Sequence, residues 1–188
     1  YFLELDDDYT SFEYRTVRDS RLVGQPVKTF NEICDVMIDF LDVTGAYTVA
    51  FAQGGDLIGG KDNKRYHEKI LRKAMNSFFC RTDRPFEFIG RVNEDVNTYT
   101  LLGTQGKLLL TYMDISLTQV QTQKQKGGMS EQYLDSGTYL KSFYSVMCCP
   151  SCVSINMMGT KKNQMRLHHN VSWNNCTPKI ISDKYKKK

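Results

Sequence analysis

The sequence predicts an α/β protein in which a mixed sheet is flanked by helices. Amphipathic segments with helical spacing, short apolar segments typical of strands, and glycine-rich turns between them support this fold class. The 188 residues can bury one core, and 40% hydrophobic and 24% charged residues are ordinary for a globular protein. No apolar run approaches the ~18 residues of a membrane span, and no targeting segment is evident. We therefore expect a cytoplasmic protein.

The first part of the chain predicts a strand and then a helix. Tyr1–Leu5 has the composition of a strand and leads directly into Asp6–Asp8. Because a central strand needs neighbours on both sides, we expect a further N-terminal segment or a second chain to complete the fold. Thr29 and Glu32 form a capping-box pattern, and a helix then extends to Gly45. Its apolar face is predicted to contain Phe30, Ile33, Met37, Phe40 and Leu41.

Later segments alternate between the two patterns. Tyr47–Ala52 is predicted to be a strand, and Lys64–Phe79 a second amphipathic helix with Ile70, Leu71, Met75 and Phe78 buried. Gln119–Gly128 is polar and predicts a loop, after which Ser136 can cap a helix that carries Leu140, Phe143 and Val146. Further strands are predicted at Phe86–Gly90, Thr98–Leu102, Lys107–Met113, Cys152–Met157 and Met165–Val171. Without a repeat or strong linker, we expect one catalytic domain over residues 1–182 and a basic tail over 183–188.

Charge and cysteine content give weaker information. The net charge is +4, and the four lysines among residues 184–188 account for it, so the basic tail is a weak indication of nucleic-acid binding. A solvated terminus is the plainer interpretation.

Cys149 and Cys152 have the spacing of a zinc knuckle, but a second pair is lacking along the chain. We expect buried reduced thiols.

The aspartate triplet predicts a divalent-metal site. Strand residues alternate sides, so Asp6 and Asp8 point the same way at the end of an apolar strand, where α/β sheets bind ligands. Two adjacent carboxylates repel each other unless a hard cation such as Mg²⁺ or Mn²⁺ lies between them. The alternative is a solvated acidic turn.

Two further clusters contain side chains that can take part in catalysis. Glu94 and Asp95 lie in the segment 91–97 between two predicted strands, where one carboxylate can accept a proton; the alternative is a charged turn. His168 and His169 follow in the last predicted strand. Neighbouring strand residues face opposite ways, so only one histidine can join a given metal site. A structural histidine pair is the alternative.

The order of these clusters resembles that of GT-A glycosyltransferases. Asp6-Asp7-Asp8 looks like the Asp-x-Asp signature of that fold, and Asn93-Glu94-Asp95-Val96 looks like its late acidic motif. Together with His168-His169, Trp173 and Pro178-Lys179-Ile180, the set resembles the TET/JBP-associated glycosyltransferases. These are phage and mobile-element enzymes, grouped with the base J glucosyltransferase, that are thought to glycosylate hydroxymethylated bases in DNA.

The resemblance implies a GT-A-like fold, a nucleotide-sugar donor such as a UDP-sugar, and a Mn²⁺ or Mg²⁺ cofactor. The implied acceptor is a hydroxymethylated pyrimidine in DNA, such as hydroxymethylcytosine. The resemblance also implies that transfer inverts the anomeric carbon of the sugar and that the protein is located in the cytoplasm of a bacterium or phage host. A GT-A domain also places a nucleotide-binding βαβ half before its Asp-x-Asp motif, so the resemblance implies that part of this half is missing from the sequence.

The same resemblance assigns roles to individual residues. Asp6, Asp7 and Asp8 bind the donor through the metal, and Asp6 and Asp8 with His168 or His169 are the metal ligands. Asp95 is the catalytic base, with Glu94 as the close alternative. Two other classes of function stay open at this point. One is a metal-dependent nuclease or phosphotransferase, and the other is a non-catalytic DNA-binding module.

Overall fold

The computed structural model describes residues 1–6, 9–73, 77–119, 139–159 and 165–178. The chain divides into two compact units, Tyr1–Glu87 with Leu108–Gln125, and Phe88–Lys107 with Lys126–Lys188. The first unit contains β1 (Phe2–Glu4), β2 (Tyr9–Arg18), β3 (Arg21–Pro26), α1 (Phe30–Thr44), β4 (Thr48–Gln53), α2 (Lys64–Glu68), β5 (Ile70–Leu71), β6 (Phe78–Cys80) and β7 (Leu109–Gln119). The second contains α3 (Glu94–Thr104), α4 (Tyr139–Cys148), β8 (Val153–Gly159) and β9 (Met165–Val171). Among the described residues, no helix has the length and apolar character needed to cross a membrane.

The strands of the first unit form a mixed sheet, which confirms the predicted fold class. Its order is β1-β6-β4-β7-β2-β3, and β5 also pairs with β7. β4 and β7 run parallel, whereas the other described neighbours are antiparallel. Among the described residues β1 lies at the edge of this sheet, and the expectation that a further segment or a second chain pairs with it stays a prediction. A strand of three residues suits an edge, because it leaves few backbone groups unpaired.

Helix α1 packs on the sheet through the apolar face that the sequence predicts. Ile33, Met37 and Leu41 are at most 2% exposed. They belong to one core cluster with strand side chains that include Phe51 and Leu117. Burial of each such side chain contributes roughly 1.5–3 kcal/mol, so this cluster is the main source of stability in the unit.

Both ends of α1 agree with the prediction, with one difference at the start. At the end, Gly45 has a φ of 69° and donates its N–H to Leu41 O at 3.0 Å. At the start, the hydroxyl of Thr29 donates to the carboxylate of Glu32 at 2.8 Å and does not accept from a backbone amide. A charged acceptor makes the stronger hydrogen bond, so the two side chains pair with each other.

The predicted helix over Lys64–Phe79 is wrong for most of its length. α2 ends at Glu68, Lys69 adopts a φ of 64°, and the chain continues as β5. The carbonyl of Lys69 accepts the N–H of Met113 at 2.8 Å, and β5 pairs with β7. Phe78 is a buried strand residue, and Met75 lies outside the described residues. Strand pairing therefore overrides a helical periodicity that the segment does carry.

Asn63 links the start of α2 to the turn that precedes it. Its Oδ1 accepts from Arg65 N at 2.8 Å, and its Nδ2 donates to the carbonyls of Asp56 at 2.6 Å and Ile58 at 2.8 Å. We expect Asn63→Ala to lower the free energy of unfolding by about 2 kcal/mol, because it removes a cap and leaves buried carbonyls unpaired. Urea unfolding measures this change. Asn31→Ala, at an exposed position of α1, is the control, and equal stability of the two variants would contradict the assignment.

Two strands predicted around the start of the second unit are wrong. Phe86–Gly90 forms neither a strand nor a helix, and Thr98–Leu102 lies within α3. Its polar side chains explain the difference. The buried Asn97 donates from Nδ2 to the carbonyls of Ile89 and Val92, both at 3.0 Å, and Thr98 Oγ1 accepts from Ile89 N at 2.9 Å. These bonds tie the preceding loop to the helix, so they favour a helix despite β-branched residues.

The rest of the second unit agrees better with the sequence. α4 carries Leu140, Phe143 and Val146 as predicted, although Ser136, the proposed cap, lies outside the described residues. β8 and β9 pair from Val153↔Val171 to Gly159↔Met165, which confirms both strands. In the first unit, the strand predicted over Lys107–Met113 is β7, which begins at Leu109 and extends to Gln119. The loop predicted over Gln119–Gly128 therefore begins one residue too early.

Three thiols lie together in the core of the second unit. Cys149, Cys152 and Cys176 are at most 3% exposed and form one cluster with Val153. The prediction of buried thiols is confirmed for these three, whereas Cys34, Cys80 and Cys148 are only partly buried. Cys176 lies beside Cys149 and Cys152 although it is distant from them in sequence. Burial, together with a hydrogen bond to Cys152, raises the pKa of the Cys149 thiol. A protonated thiol in such a cluster packs as a small hydrophobic side chain.

Candidate active site

The carboxyl ends of three strands lie at one edge of the sheet in the first unit. β4 and β7 are parallel, and β1 has the same direction because each of β1 and β4 pairs antiparallel with β6. Asp6 follows β1, while Gln53 ends β4 and Gln119 ends β7. α/β sheets bind ligands at this kind of edge. The structure therefore places Asp6 where the sequence predicts a ligand site.

Asp6 is half-buried and is held by polar neighbours. Its backbone N–H donates to Ser77 Oγ at 3.4 Å, and Gln119 Nε2 donates to its Oδ2 at 3.5 Å. Both distances are at the long end for hydrogen bonds, and only the contact with Gln119 reaches the carboxylate. Asp7 and Asp8, which are also predicted to bind the donor, lie outside the described residues.

A second carboxylate, absent from the predicted site residues, lies in the loop that follows β4. Asp56 is 1% exposed, and its Oδ1 lies 2.5 Å from Lys73 Nζ. Its Oδ2 accepts from the backbone N–H of Gln53 at 3.1 Å. A buried carboxylate that is paired in this way holds a loop in position and is costly to leave without its partner. Gly54-Gly55-Asp56 directly after an apolar strand is the sequence signal that marks this carboxylate.

The late acidic motif forms the start of α3 in the second unit. Asn93 precedes the helix with a φ of 56°, and Glu94 and Asp95 occupy its first turn. Successive helix residues are about 100° apart, so these two carboxylates do not point in opposite directions as strand residues would. Glu94 is exposed and Asp95 is half-buried. Acidic side chains are favourable in the first turn, because the helix dipole is positive there.

The same unit brings the histidine pair to this motif. Asn93 Nδ2 lies 3.3 Å from His169 Nδ1 and 2.6 Å from Ser145 Oγ. His168 Nδ1 lies 2.7 Å from the backbone oxygen of His169, and the centroids of the two imidazole rings are 4.3 Å apart. Alternation along a strand determines the directions of the Cβ atoms, but the His168 ring is rotated so that its Nδ1 faces the backbone oxygen of His169. The two rings therefore lie side by side, which alternation alone did not predict.

The predicted site residues are thus divided between the two units. Asp6 belongs to the first, and Glu94, Asp95, His168 and His169 belong to the second. Over the described ranges, no group of three or more histidine, cysteine or acidic side chains is arranged to hold a metal ion. The predicted ligand set includes Asp8, which is outside those ranges, so the metal stays a prediction.

Comparison with known proteins identifies the family. The sequence profile described as TET-Associated Glycosyltransferase matches residues 1–128 of the 188. This range includes the aspartate triplet and the motif of Glu94 and Asp95, whereas His168 and His169 lie beyond it. No curated protein and no solved structure matches the chain. A match over more than half of the sequence, with both acidic motifs inside it, shows that the chain belongs to the TET-Associated Glycosyltransferase family.

Proposed function

We propose that this glycosyltransferase transfers a sugar from a nucleotide-sugar donor, a UDP-sugar, to a hydroxymethylated pyrimidine in DNA. The observation that carries the proposal is the position of Asp6 at the carboxyl edge of β1, β4 and β7, inside the range that matches the family. The DNA acceptor rests on the order of the acidic and histidine motifs described above. A hydroxymethyl group of a paired base lies in the major groove, so the enzyme reads that groove or flips the base out.

The chemistry around Asp6 fits a hard divalent cation. Its carboxylate offers oxygen atoms, the ligands that Mg²⁺ and Mn²⁺ prefer, while Gln119 approaches that carboxylate through Nε2 at 3.5 Å. We assign Asp6 and Asp8 as metal ligands and Asp7 as their neighbour in donor binding. When bound, the ion supplies positive charge to the diphosphate that leaves the sugar.

Transfer also requires that a proton leave the acceptor. The hydroxyl oxygen forms a bond to the anomeric carbon while the bond from that carbon to the diphosphate breaks, and attack opposite the leaving group inverts the sugar. We assign the proton to the carboxylate of Asp95. Asp95 is half-buried and Glu94 is exposed, and a base that is partly shielded from water is better placed to meet an acceptor. This difference supports Asp95 over Glu94.

An assay of UDP release tests the proposal against its rivals. The protein is incubated with Mn²⁺, a panel of UDP-sugars, and hydroxymethylated or unmodified duplex DNA, and DNA integrity is followed on gels. We expect faster UDP release with the hydroxymethylated duplex, with both duplexes intact. Cleavage of either duplex with Mg²⁺ alone would instead indicate a nuclease. No UDP release, with metal-independent DNA binding that survives Asp8→Ala, would indicate a binding module.

A further inference from the structure

Two segments that are distant in sequence concentrate positive charge in the first unit. Residues 15–21 contain three arginines and one aspartate, and residues 61–73 contain six basic and two acidic residues. Apart from the four lysines of the tail, the rest of the chain has 12 basic and 18 acidic residues. The excess of positive charge outside the tail therefore lies in these two segments.

The fold brings the two segments together. The first segment ends β2 and leads into β3, whereas the second includes α2. The hydroxyl of Tyr66 in α2 donates to the backbone oxygen of Arg15 at 3.0 Å, and Leu22 of β3 packs against the core cluster that contains Tyr66. Side chains from both segments, Arg15, His67 and Lys69, consequently line one groove. We call the joined segments the basic surface.

Several cations of the basic surface have no acidic partner. Arg15 and Lys69 each form an ion pair of 2.6 Å with an acidic side chain. In the part of the chain that the structure describes, four exposed basic side chains of the surface form no ion pair: Arg18, Arg21, Lys64 and Arg65. These four charges are available to an external anion, because binding it does not require that an existing ion pair break.

Two of these cations, Arg18 and Arg21, lie directly opposite each other. They are the last paired residues of β2 and β3, and the turn between them consists of Asp19 and Ser20, with φ values of 48° and 60°. Opposed residues point to the same face of a sheet, and like charges in such a pair are destabilising. Within the described residues, neither arginine forms an ion pair with Asp19. An external polyanion would relieve the repulsion between the two arginines.

Strand β2 connects the basic surface with the edge of the sheet where Asp6 lies. At the start of β2, Tyr9 pairs with Gln119, the residue whose amide contacts Asp6. β2 has ten residues, which extend over about 30 Å at ~3.3 Å per residue. One helical turn of B-DNA is about 34 Å long. A duplex with one base at the Asp6 edge can therefore present backbone phosphates to Arg18 and Arg21 about one turn away.

We propose that the basic surface binds the phosphate backbone of duplex DNA, about one helical turn from the base that receives the sugar. Phosphates supply the negative charge that the four unpaired cations lack. Contacts of arginine and lysine with phosphate fix the position of a protein on a duplex without reading its sequence. The choice of DNA rests on the proposed function, whereas the affinity for a polyanion rests on the arrangement of charges alone.

The salt dependence of DNA binding tests this assignment. The full chain is titrated with fluorescently labelled, unmodified duplexes of two unrelated sequences, without metal or donor, at salt concentrations from about 50 to about 200 mM. Arg18→Ala/Arg21→Ala is compared with Lys187→Ala/Lys188→Ala, which removes the same charge from the tail. Each phosphate contact contributes about 0.9 to the slope of log K against log salt. We therefore expect the arginine variant to reduce this slope by about 2 for both sequences, and the tail variant to reduce it by less than half as much.

A variant that keeps the charge separates phosphate binding from a structural role. Arg18→Lys/Arg21→Lys should retain the wild-type slope, and the arginine-to-alanine variant should melt no lower than wild type, because it loses a repulsive pair. A smaller slope in the lysine variant, with a lower melting temperature, would assign the two arginines to the fold instead. Equal reductions in the arginine-to-alanine and tail variants, a wild-type slope in the former, or no DNA binding by the wild-type protein would overturn the proposal. Because no donor is present, these results are distinct from a failure of UDP release, which tests the proposed function.

Discussion

Exchange of Asp6 or Asp8 for asparagine is expected to abolish sugar transfer and to leave the fold intact. The substitution keeps the size of the side chain and removes the charge that balances a divalent cation. The hydrogen bond from the Asp6 backbone N–H to Ser77 is kept in Asp6→Asn, and the bond from Gln119 to the Asp6 carboxylate is long, at 3.5 Å, so its loss should cost less than about 1 kcal/mol. Single-turnover assays measure the rate of sugar transfer, and calorimetry with and without Mn²⁺ measures metal-dependent UDP binding. Thermal unfolding measures the stability of the fold.

Asp39→Asn is the matched control for this pair of substitutions. Asp39 is exposed on α1, so the same chemical change there should alter neither transfer nor metal-dependent UDP binding. If Asp8→Asn and Asp6→Asn both transfer sugar at the wild-type rate, the aspartate triplet is not the donor site. A fall in melting temperature that parallels the loss of activity would assign these residues to the fold instead.

Asp95→Asn is expected to slow transfer by roughly 10²–10⁴-fold while donor binding is retained. A general base acts only on the acceptor proton, so its removal lowers the rate of the chemical step and leaves the affinity for UDP unchanged. Metal-ligating carboxylates are poor bases because the cation engages their lone pairs, which is why the role falls on a different acidic residue. Single-turnover rates at saturating donor, with calorimetric UDP binding alongside, separate the two quantities.

Glu94→Gln is the comparison that makes this prediction specific. Glu94 adjoins Asp95 in the first turn of α3 but is exposed, so its amide variant should transfer sugar at close to the wild-type rate. The base role belongs to Glu94 if the effects are reversed. If Asp95→Asn weakens UDP binding and transfers normally at saturating donor, Asp95 belongs to the donor pocket.

The sequence identified elements whose determinants are local. The apolar spacing of α1 and the glycine after its last residue are visible within about 15 residues, and the structure confirms them. β2 and β3 were not recognised, although Asp19 and Ser20 both have positive φ and form the tight turn that joins them. The turn between β2 and β3 lacks the glycine that usually marks a tight hairpin turn in a sequence.

Other elements depend on partners that are distant in sequence. β5 is a strand because it pairs with β7, about 40 residues later, and that pairing cannot be read from the periodicity of residues 64–79. The β-branched and aromatic residues of α3 indicated a strand, yet Asn97 and Thr98 hold the preceding loop against a helix. In both cases tertiary contacts decided between two conformations that the local sequence allows.

The candidate site shows the same division. The order of the acidic and histidine motifs could be recognised along the chain, and Asp6 lies at the sheet edge as expected. The contact between Asn93 and His169 joins residues 76 positions apart, so no local pattern contains it. Rotation of the His168 ring is likewise invisible to strand alternation. The arrangement of this histidine pair therefore required the structure.

Nucleoside mass spectrometry tests the central claim most directly. Hydroxymethylated duplex DNA is incubated with the protein, Mn²⁺ and a panel of UDP-sugars, and is then digested to nucleosides. We expect the hydroxymethylpyrimidine nucleoside to gain the mass of one sugar residue, only with a matching donor and not in Asp8→Asn. Unchanged hydroxymethylated nucleosides with every donor tested, from wild-type protein that is folded and binds UDP with Mn²⁺, would contradict the proposed acceptor.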